Sequence, residues 1–272
     1  MTVRIGIIGF GSIAQDLVSI LMAQAPESQI SILVRPGRDG AARDVLTGLG
    51  LSENAFITSD LGRFLEPVPS VVAECAGHGA VTDFGESILA AGADLVVASV
   101  GVLADPALYD RLREVAARST GQLVIPSGAI GGVDILSAAR LSGLTSVDYT
   151  GRKPPAAWAG TPADGQYDLK NIQAPTTIFQ GNAREAAISY PKNANVAATL
   201  ALAGLGMDAT RVTLIADPST SQNVHEFSVV SPAVEATVQL VGKPSPRNPK
   251  TSQTTALSIA RAVLNQGSAI VI

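Results

Sequence analysis

From Met1 to about Ile125, short apolar runs alternate with longer stretches whose apolar residues recur every three or four positions. The short runs are Arg4 to Ile8, Ile30 to Val34, Phe56 to Thr58, Val71 to Cys75, Leu95 to Ser99 and Leu123 to Ile125, and most are rich in Val and Ile. Such runs belong to strands covered on both faces. The longer stretches, Ile13 to Ala23, Gly40 to Leu49, Val81 to Ala91 and Pro106 to Ala117, carry helical periodicity. Regular alternation of the two predicts a parallel sheet with helices on both sides.

Beyond Pro126 the pattern changes. Ser146 to Arg152, Thr176 to Phe179, Val212 to Ala216, His225 to Val230 and Ala233 to Val241 read as strands of an antiparallel or mixed sheet with one face packed on helices. A helix is predicted from the Pro126 to Gly132 turn to about Leu141, and others over Ala183 to Ile188 and Asn195 to Leu205. Asn195 suits either a helix cap or a ligand contact. Pro154-Pro155 and Gly160 to Gly165 form a long loop, a feature that is usually functional or mobile. Pro244 to Lys250, PSPRNPK, reads as a linker by composition. A last helix over Thr251 to Leu264 is expected to return to the first domain, with Ile270 to Ile272 adding a terminal strand.

One stretch gives this alternation a chemical meaning. Gly9-Phe10-Gly11-Ser12-Ile13-Ala14 follows the first strand, opens the first helix and fits G-x-G-x-x-G/A. Gly9 allows the tight turn, Gly11 lets a pyrophosphate approach bare backbone, and Ala14 lets the helix pack closely. Phosphates would sit on the helix N-terminus near Ser12 and Ile13, where unpaired N–H groups and the dipole favour negative charge. At the end of the second strand, where an acidic residue would normally bind the adenosine ribose, stands Arg35 with Arg38 nearby. Two arginines there suit a ribose 2′-phosphate, so the expected cofactor is NAD or NADP. Glu74-Cys75-Ala76-Gly77-His78-Gly79 follows the fourth strand, and small Ala76 suits a cofactor passing close to backbone. His78, flanked by glycines, reads as an exposed loop residue. The small and flexible residues of Pro126 to Gly132 again imply close backbone approach.

The resulting expectation is an α/β chain: a Rossmann-type doubly wound parallel sheet with a second α/β domain. Residues 1–128, completed by 248–272, would hold the dinucleotide, and residues 129–247 would form the second domain. The length of 272 residues and 46% hydrophobic content support a core of that size. A net charge of −4 without a basic run argues against nucleic acid. The single cysteine, Cys75, excludes an internal disulfide and a cysteine-rich metal site. No convincing metal-ligand spacing occurs. The chain enters a strand almost at once, so neither a signal peptide nor a membrane span is expected, and cytoplasm is the default.

Several separated segments then point to one family. PSGAIGG at Pro126 to Gly132, Lys153-Pro154-Pro155, YPKNANVAAT at Tyr190 to Thr199, IADP at Ile215 to Pro218, NVH at Asn223 to His225 and NPKTS at Asn248 to Ser252 resemble L-aspartate dehydrogenase, in the family's order. The resemblance implies oxidative deamination of L-aspartate with NAD or NADP. The iminoaspartate formed would hydrolyse to oxaloacetate and ammonia, and could feed quinolinate and NAD biosynthesis. It places the active-site histidine at His225 and further cofactor contacts at Ala129 and Asn195. It also implies that the second domain carries the substrate and builds a homodimer. Arg35 departs from a strict NAD pattern.

The chemistry agrees with a histidine in that role. Hydride leaves Cα only when the amine is unprotonated, and imidazole, with an unperturbed pKa of about 6.5, can take that proton or activate the water that attacks the imine. Two substrate carboxylates need cationic or N–H donors. Ser127 and Lys192 are candidates, as are Gly128, Lys153 and Lys250. The rival readings are an oxidoreductase acting on a related amino or imino diacid, and a redox-silent NAD(P)-binding sensor.

Overall fold

A computed structural model describes residues 3–51 and 55–271, apart from the side chain of Lys250. The chain divides into two compact units, one running to Pro126 and resuming at Ala256, the other spanning Ser127–Thr255.

In the first unit the elements are β1 (Arg4–Ile8), α1 (Ser12–Gln24), β2 (Gln29–Leu33), α2 (Asp39–Gly48), β3 (Ala55–Thr58), α3 (Leu61–Phe64), β4 (Val71–Glu74), α4 (His78–Ala90), β5 (Asp94–Val97), α5 (Pro106–Arg118) and β6 (Leu123–Val124). The strands form one parallel sheet in the order β3-β2-β1-β4-β5-β6, with Ile7 in register with both Ile32 and Ala73. Strand order reverses between β1 and β4, the place where doubly wound sheets take their ligands. Every residue of β4 and β5 is buried, and apart from Glu74 and Asp94 at their ends these runs are apolar throughout instead of alternating. Ala14, Leu17, Val18 and Leu21 form the inner stripe of α1 and pack with Ile5, Ile7, Ile30 and Ile32 in one core. Each such large aliphatic side chain contributes about 1.5 to 3 kcal/mol on burial.

The one-turn helix α3 falls outside the sequence expectation, because four residues carry no periodicity. Its start is set by Asp60, whose side chain accepts from Arg63 N at 2.8 Å. Its Phe64 ring fills the space that a Cβ on Gly6 would enter at 2.6 Å.

The second unit holds α6 (Val133–Ala139), β7 (Ser146–Lys153), β8 (Thr176–Asn182), α7 (Ala183–Ser189), α8 (Asn195–Ala203), β9 (Arg211–Ala216), β10 (Asn223–Val230), β11 (Glu235–Gly242), β12 (Pro244–Ser245) and β13 (Asn248–Ser252). Its main sheet runs β11-β10-β7-β9-β8; β7 and β9 are parallel and the other pairs antiparallel. Burial alternates strictly along β7, with Val147, Tyr149, Gly151 and Lys153 inward and Asp148, Thr150 and Arg152 outward. The chain then enters α9 (Gln253–Asn265), whose Ile259, Ala260 and Val263 join the core of the first unit.

Three local expectations need correction. PSPRNPK is not a linker: Pro244–Ser245 pairs with Asn248–Ser252 as a two-stranded ribbon, with Ser245 opposite Asn248. Proline is tolerated there because so short a ribbon has free edges that need no N–H. Asn195 is the first helical residue of α8 and Ala194 is its cap position, without a side-chain cap bond. At the end of the chain Ile270 and Val271 are exposed and form no strand, and Ile272 lies outside the described residues. Among the described residues no helix is long and apolar enough to cross a membrane.

Candidate active site

The first unit carries a cleft of about 860 Å³ at the carboxyl ends of β1, β2 and β4, lined among others by Gly9, Gly11, Arg35, Arg38, Ala76 and Gly77. Gly9 adopts φ +83°, and its N–H donates to Leu33 O at 2.8 Å, tying the turn to β2. A Cβ on Gly9 would lie 2.7 Å from the Ala76 methyl, so the two small residues interlock. Gly11 differs: it is the cap residue of α1, and a Cβ there meets no protein atom within 4 Å. That open cradle, at a helix start beginning with Ser12 and Ile13, is what a pyrophosphate requires. The Gln15 side chain steadies it by donating to Phe10 O at 3.1 Å.

Glu74 braces the opposite wall, a role the sequence reading missed. It is fully buried, and its carboxylate accepts from Ala76 N and Gly77 N at 2.7 Å each and from Ser99 N at 2.9 Å. A fourth bond comes from the Ser99 hydroxyl at 3.1 Å. Those bonds offset the cost of burying a charge and hold the turn into α4. The usable signal was an acidic residue ending an otherwise apolar strand. Burial first, and the neighbouring Glu74 charge second, push the Cys75 thiol well above its ordinary pKa, which disfavours the nucleophilic thiolate. His78 starts α4 and lines the same cleft. Arg35 and Arg38 put two exposed cations at the end of β2, where the adenosine ribose of a dinucleotide would lie. Open cradle, helix start and cations together fit NAD or NADP.

The second unit builds its site on the buried face of β7 and β10. His225 sits in register with Gly151 on β7 and Leu240 on β11, and only 3% of it is exposed. Its Nδ1 bonds to the Tyr149 hydroxyl at 2.7 Å, with the two rings nearly parallel. Gly151 makes this bond feasible, because a Cβ there would lie 2.7 Å from the same hydroxyl. Burial first, and the Lys153 charge second, lower the imidazole pKa to about 3. Burial also raises the Tyr149 phenol far above its usual value, so it stays protonated.

Two positions beyond Gly151 on the same face, Lys153 is 8% exposed. Its Nζ donates to Asn193 Oδ1 at 2.8 Å and lies 5.3 Å from the Trp158 ring centroid. Desolvation lowers its pKa to about 8. Asn193 is held in place by its own N–H donating to Tyr190 O at 2.8 Å, and Tyr190 packs edge-on against Trp158. The indole N–H in turn donates to Ile215 O at 3.2 Å.

The turn from Pro126 to Gly132 carries half-buried Ser127 and Ala129 and uses positive φ at Gly128 and Gly132. A Cβ on Gly131 would touch Leu240, the cross-strand neighbour of His225, so this turn lies over the histidine's end of the sheet. Asn195 is half-buried at the start of α8, whereas Lys192 is exposed. The side chain of Lys250 lies outside the described residues. Among the described residues no group of three or more His, Cys, Asp or Glu is placed to hold a metal ion.

Comparison with known proteins agrees with both units. Residues 9–126 match the family model described as homoserine dehydrogenase, NAD binding domain, and residues 134–266 match aspartate dehydrogenase, C-terminal. The chain is 40% identical to an L-aspartate dehydrogenase of Ralstonia pickettii over 98% of both chains. It is 48% identical to one of Pseudomonas aeruginosa over 74% of this chain and 76% of that one. The crystal structure of aspartate dehydrogenase from Thermotoga maritima superposes with a TM-score of 0.77 at 25% identity, covering all of both chains. A hyperthermophilic archaeal homoserine dehydrogenase in complex with NADPH shares the fold, with a TM-score of 0.61 at 12% identity over 98% of both chains. With near-full-length identity at this level and the site geometry in place, the chain belongs to the L-aspartate dehydrogenase family.

Proposed function

We propose that this protein oxidises L-aspartate with NAD or NADP to iminoaspartate, which takes up water and gives oxaloacetate and ammonia. The observation that carries the reading is the buried imidazole of His225, hydrogen-bonded through Nδ1 to Tyr149, in a chain of this family. Bound NAD or NADP supplies the hydride acceptor. The protein must hold the dinucleotide, expose the aspartate amine as its neutral form and receive the proton that the ammonium gives up. For His225 to take that proton at Nε2, Nδ1 must carry its own hydrogen and donate it to the Tyr149 oxygen. The phenol then acts as an acceptor throughout and steadies the imidazolium. In the reverse step the same nitrogen returns a proton as the imine is reduced.

Gly9, Gly11, Ser12, Ile13 and Ala76 are assigned to the dinucleotide, with Arg35 favouring a 2′-phosphate. Ala129 and Asn195 keep the cofactor roles that the family resemblance implies, and Ser127 is retained as a substrate contact. A homodimer built through the second unit and a cytoplasmic location belong to the same reading. The test is reduction of oxaloacetate plus ammonia with NADH and with NADPH, for wild type and for His225→Ala. The variant should lose about 10²-fold or more in kcat while NADH fluorescence still reports normal binding. Near-normal turnover in the variant would remove His225 from the mechanism.

A further inference from the structure

Lys153 poses a problem that the assigned roles leave unsolved. An ammonium has three hydrogens to donate, and this one, almost wholly buried, donates among the described residues to a single neutral acceptor, Asn193 Oδ1, with an indole face nearby. Buried cations are ordinarily matched by an anion. The nearby acids are committed elsewhere. Asp217 accepts from Arg152 at 3.0 Å and from the Ser219 hydroxyl at 2.6 Å, Asp148 pairs with Arg211, and Glu226 accepts from Gln239 at 2.7 Å. Asp148 and Glu226, like Arg152, stand on the opposite face of the sheet.

On the inner face, Tyr149 and Lys153 of β7 are the titratable groups beside His225, and β11 presents only Ala236, Val238 and Leu240 there. Helix α8 carries no ionisable residue. On α6 Asp134 is exposed; on α7 Arg184 pairs with Asp208, and Glu185 closes the capping box with Asn182. Among the described residues, the charge that reaches the imidazole is that of Lys153, and after burial it is the second influence that holds the ring neutral.

We propose that Lys153, its ammonium fixed by Asn193 and Trp158, receives one carboxylate of a dicarboxylate substrate, and that this anion, by cancelling the lysine charge, makes His225 a stronger base. The inference rests on the aspartate reading and deepens it: the anion that completes the site also switches on its base. A free site then holds a neutral imidazole, and proton uptake is coupled to substrate arrival. Coupling of this kind is reciprocal, so protonating His225 must in turn tighten the hold on the carboxylate.

The chain has only two histidines, His78 and His225, so ring signals in protein labelled at histidine are few enough to follow singly. The probe is succinate, which has both carboxylates and no amine to oxidise, added to the NAD-loaded protein. Succinate should raise the pH at which His225 titrates and leave His78 where it was. Lys153→Gln should bind succinate at least tenfold more weakly and show no movement of His225, whereas Lys153→Arg should retain much of both. A test independent of any variant is the alkaline limb: wild-type affinity for succinate should fall as pH rises through about 8, where Lys153 loses its proton. Equal affinity in wild type and Lys153→Gln, an alkaline limb that stays flat, or a His225 signal indifferent to succinate would overturn the proposal. Lysine-dependent succinate binding in a protein that oxidises no aspartate would uphold the carboxylate site and count against the aspartate reading alone.

Discussion

Replacing Gly9 and Gly11 by alanine, one at a time, separates two demands that the glycine turn meets. At Gly9 the backbone has φ +83°, where an L side chain costs about 1 to 2 kcal/mol. The new methyl would also lie 2.7 Å from the Ala76 Cβ and 2.9 Å from its Cα, and overpacking of that kind adds about 1 to 3 kcal/mol. Gly9→Ala should therefore destabilise the cofactor-free protein by about 2 to 5 kcal/mol. At Gly11 the backbone is ordinary, with φ −81°, and no protein atom lies within 4 Å of the added Cβ. The only folding cost is alanine in place of glycine at a helix cap, below about 1 kcal/mol. The same Cβ, however, occupies the cradle, and a tenfold loss of NADH affinity, about 1.4 kcal/mol, is the least it should cause. Thermal unfolding without cofactor and an NADH fluorescence titration measure the two effects separately. At about 2 to 4 °C per kcal/mol the stability difference between the variants is easily resolved. If Gly11→Ala bound NADH as wild type does, or unfolded as early as Gly9→Ala, the cradle would have been assigned to the wrong residue.

Other consequences follow from the same geometry. Arg35→Ala should lower the NADP to NAD efficiency ratio tenfold or more, read from kcat/KM with each cofactor; an unchanged ratio removes Arg35 from the 2′-phosphate site. Tyr149→Phe strips one hydroxyl from a buried pair and should destabilise the protein by about 1 to 3 kcal/mol in urea unfolding, with kcat falling more than the aspartate KM rises. For His225 the folded protein binds its proton only near pH 3 and the unfolded chain near 6.5, so this group's contribution to stability falls as pH drops from 6.5 towards 3, by up to about 1.4 kcal/mol per unit. Lys153 has a folded pKa of about 8 against 10.5 unfolded, so its burial penalty grows as pH falls through that window and is complete below 8. Lys153→Met should therefore be more stable than wild type at pH 7, and the gap measured by urea midpoint should narrow between pH 8 and 10.5; a constant gap would contradict a desolvated ammonium.

What was legible in the sequence depended on chemistry between near neighbours. Continuous apolar runs marked β1, β4 and β5 because strands covered on both faces have no polar side, and the three-to-four spacing of Ala14, Leu17, Val18 and Leu21 marked α1. The glycine turn was recognisable because its demands on φ and on side-chain volume act within six residues. The ribbon formed by β12 and β13 escaped notice since its prolines mimic a linker, and α3 since it is one turn long. The neighbourhood of His225 was legible only in part. His225 was singled out by its motif, but its bond to Tyr149 joins residues 76 apart, and the bond from Lys153 to Asn193 spans 40. Strand register alone sets such pairings, and a slip of one residue would turn Tyr149, Lys153 or His225 to the other face. Lys153 and Lys192 read alike in the sequence; one became buried and the other exposed because β7 turns its alternate residues inward beneath Trp158 while the loop before α8 faces water. Residue types supplied the candidates, and the packing of one sheet face decided which of them carry desolvated charge.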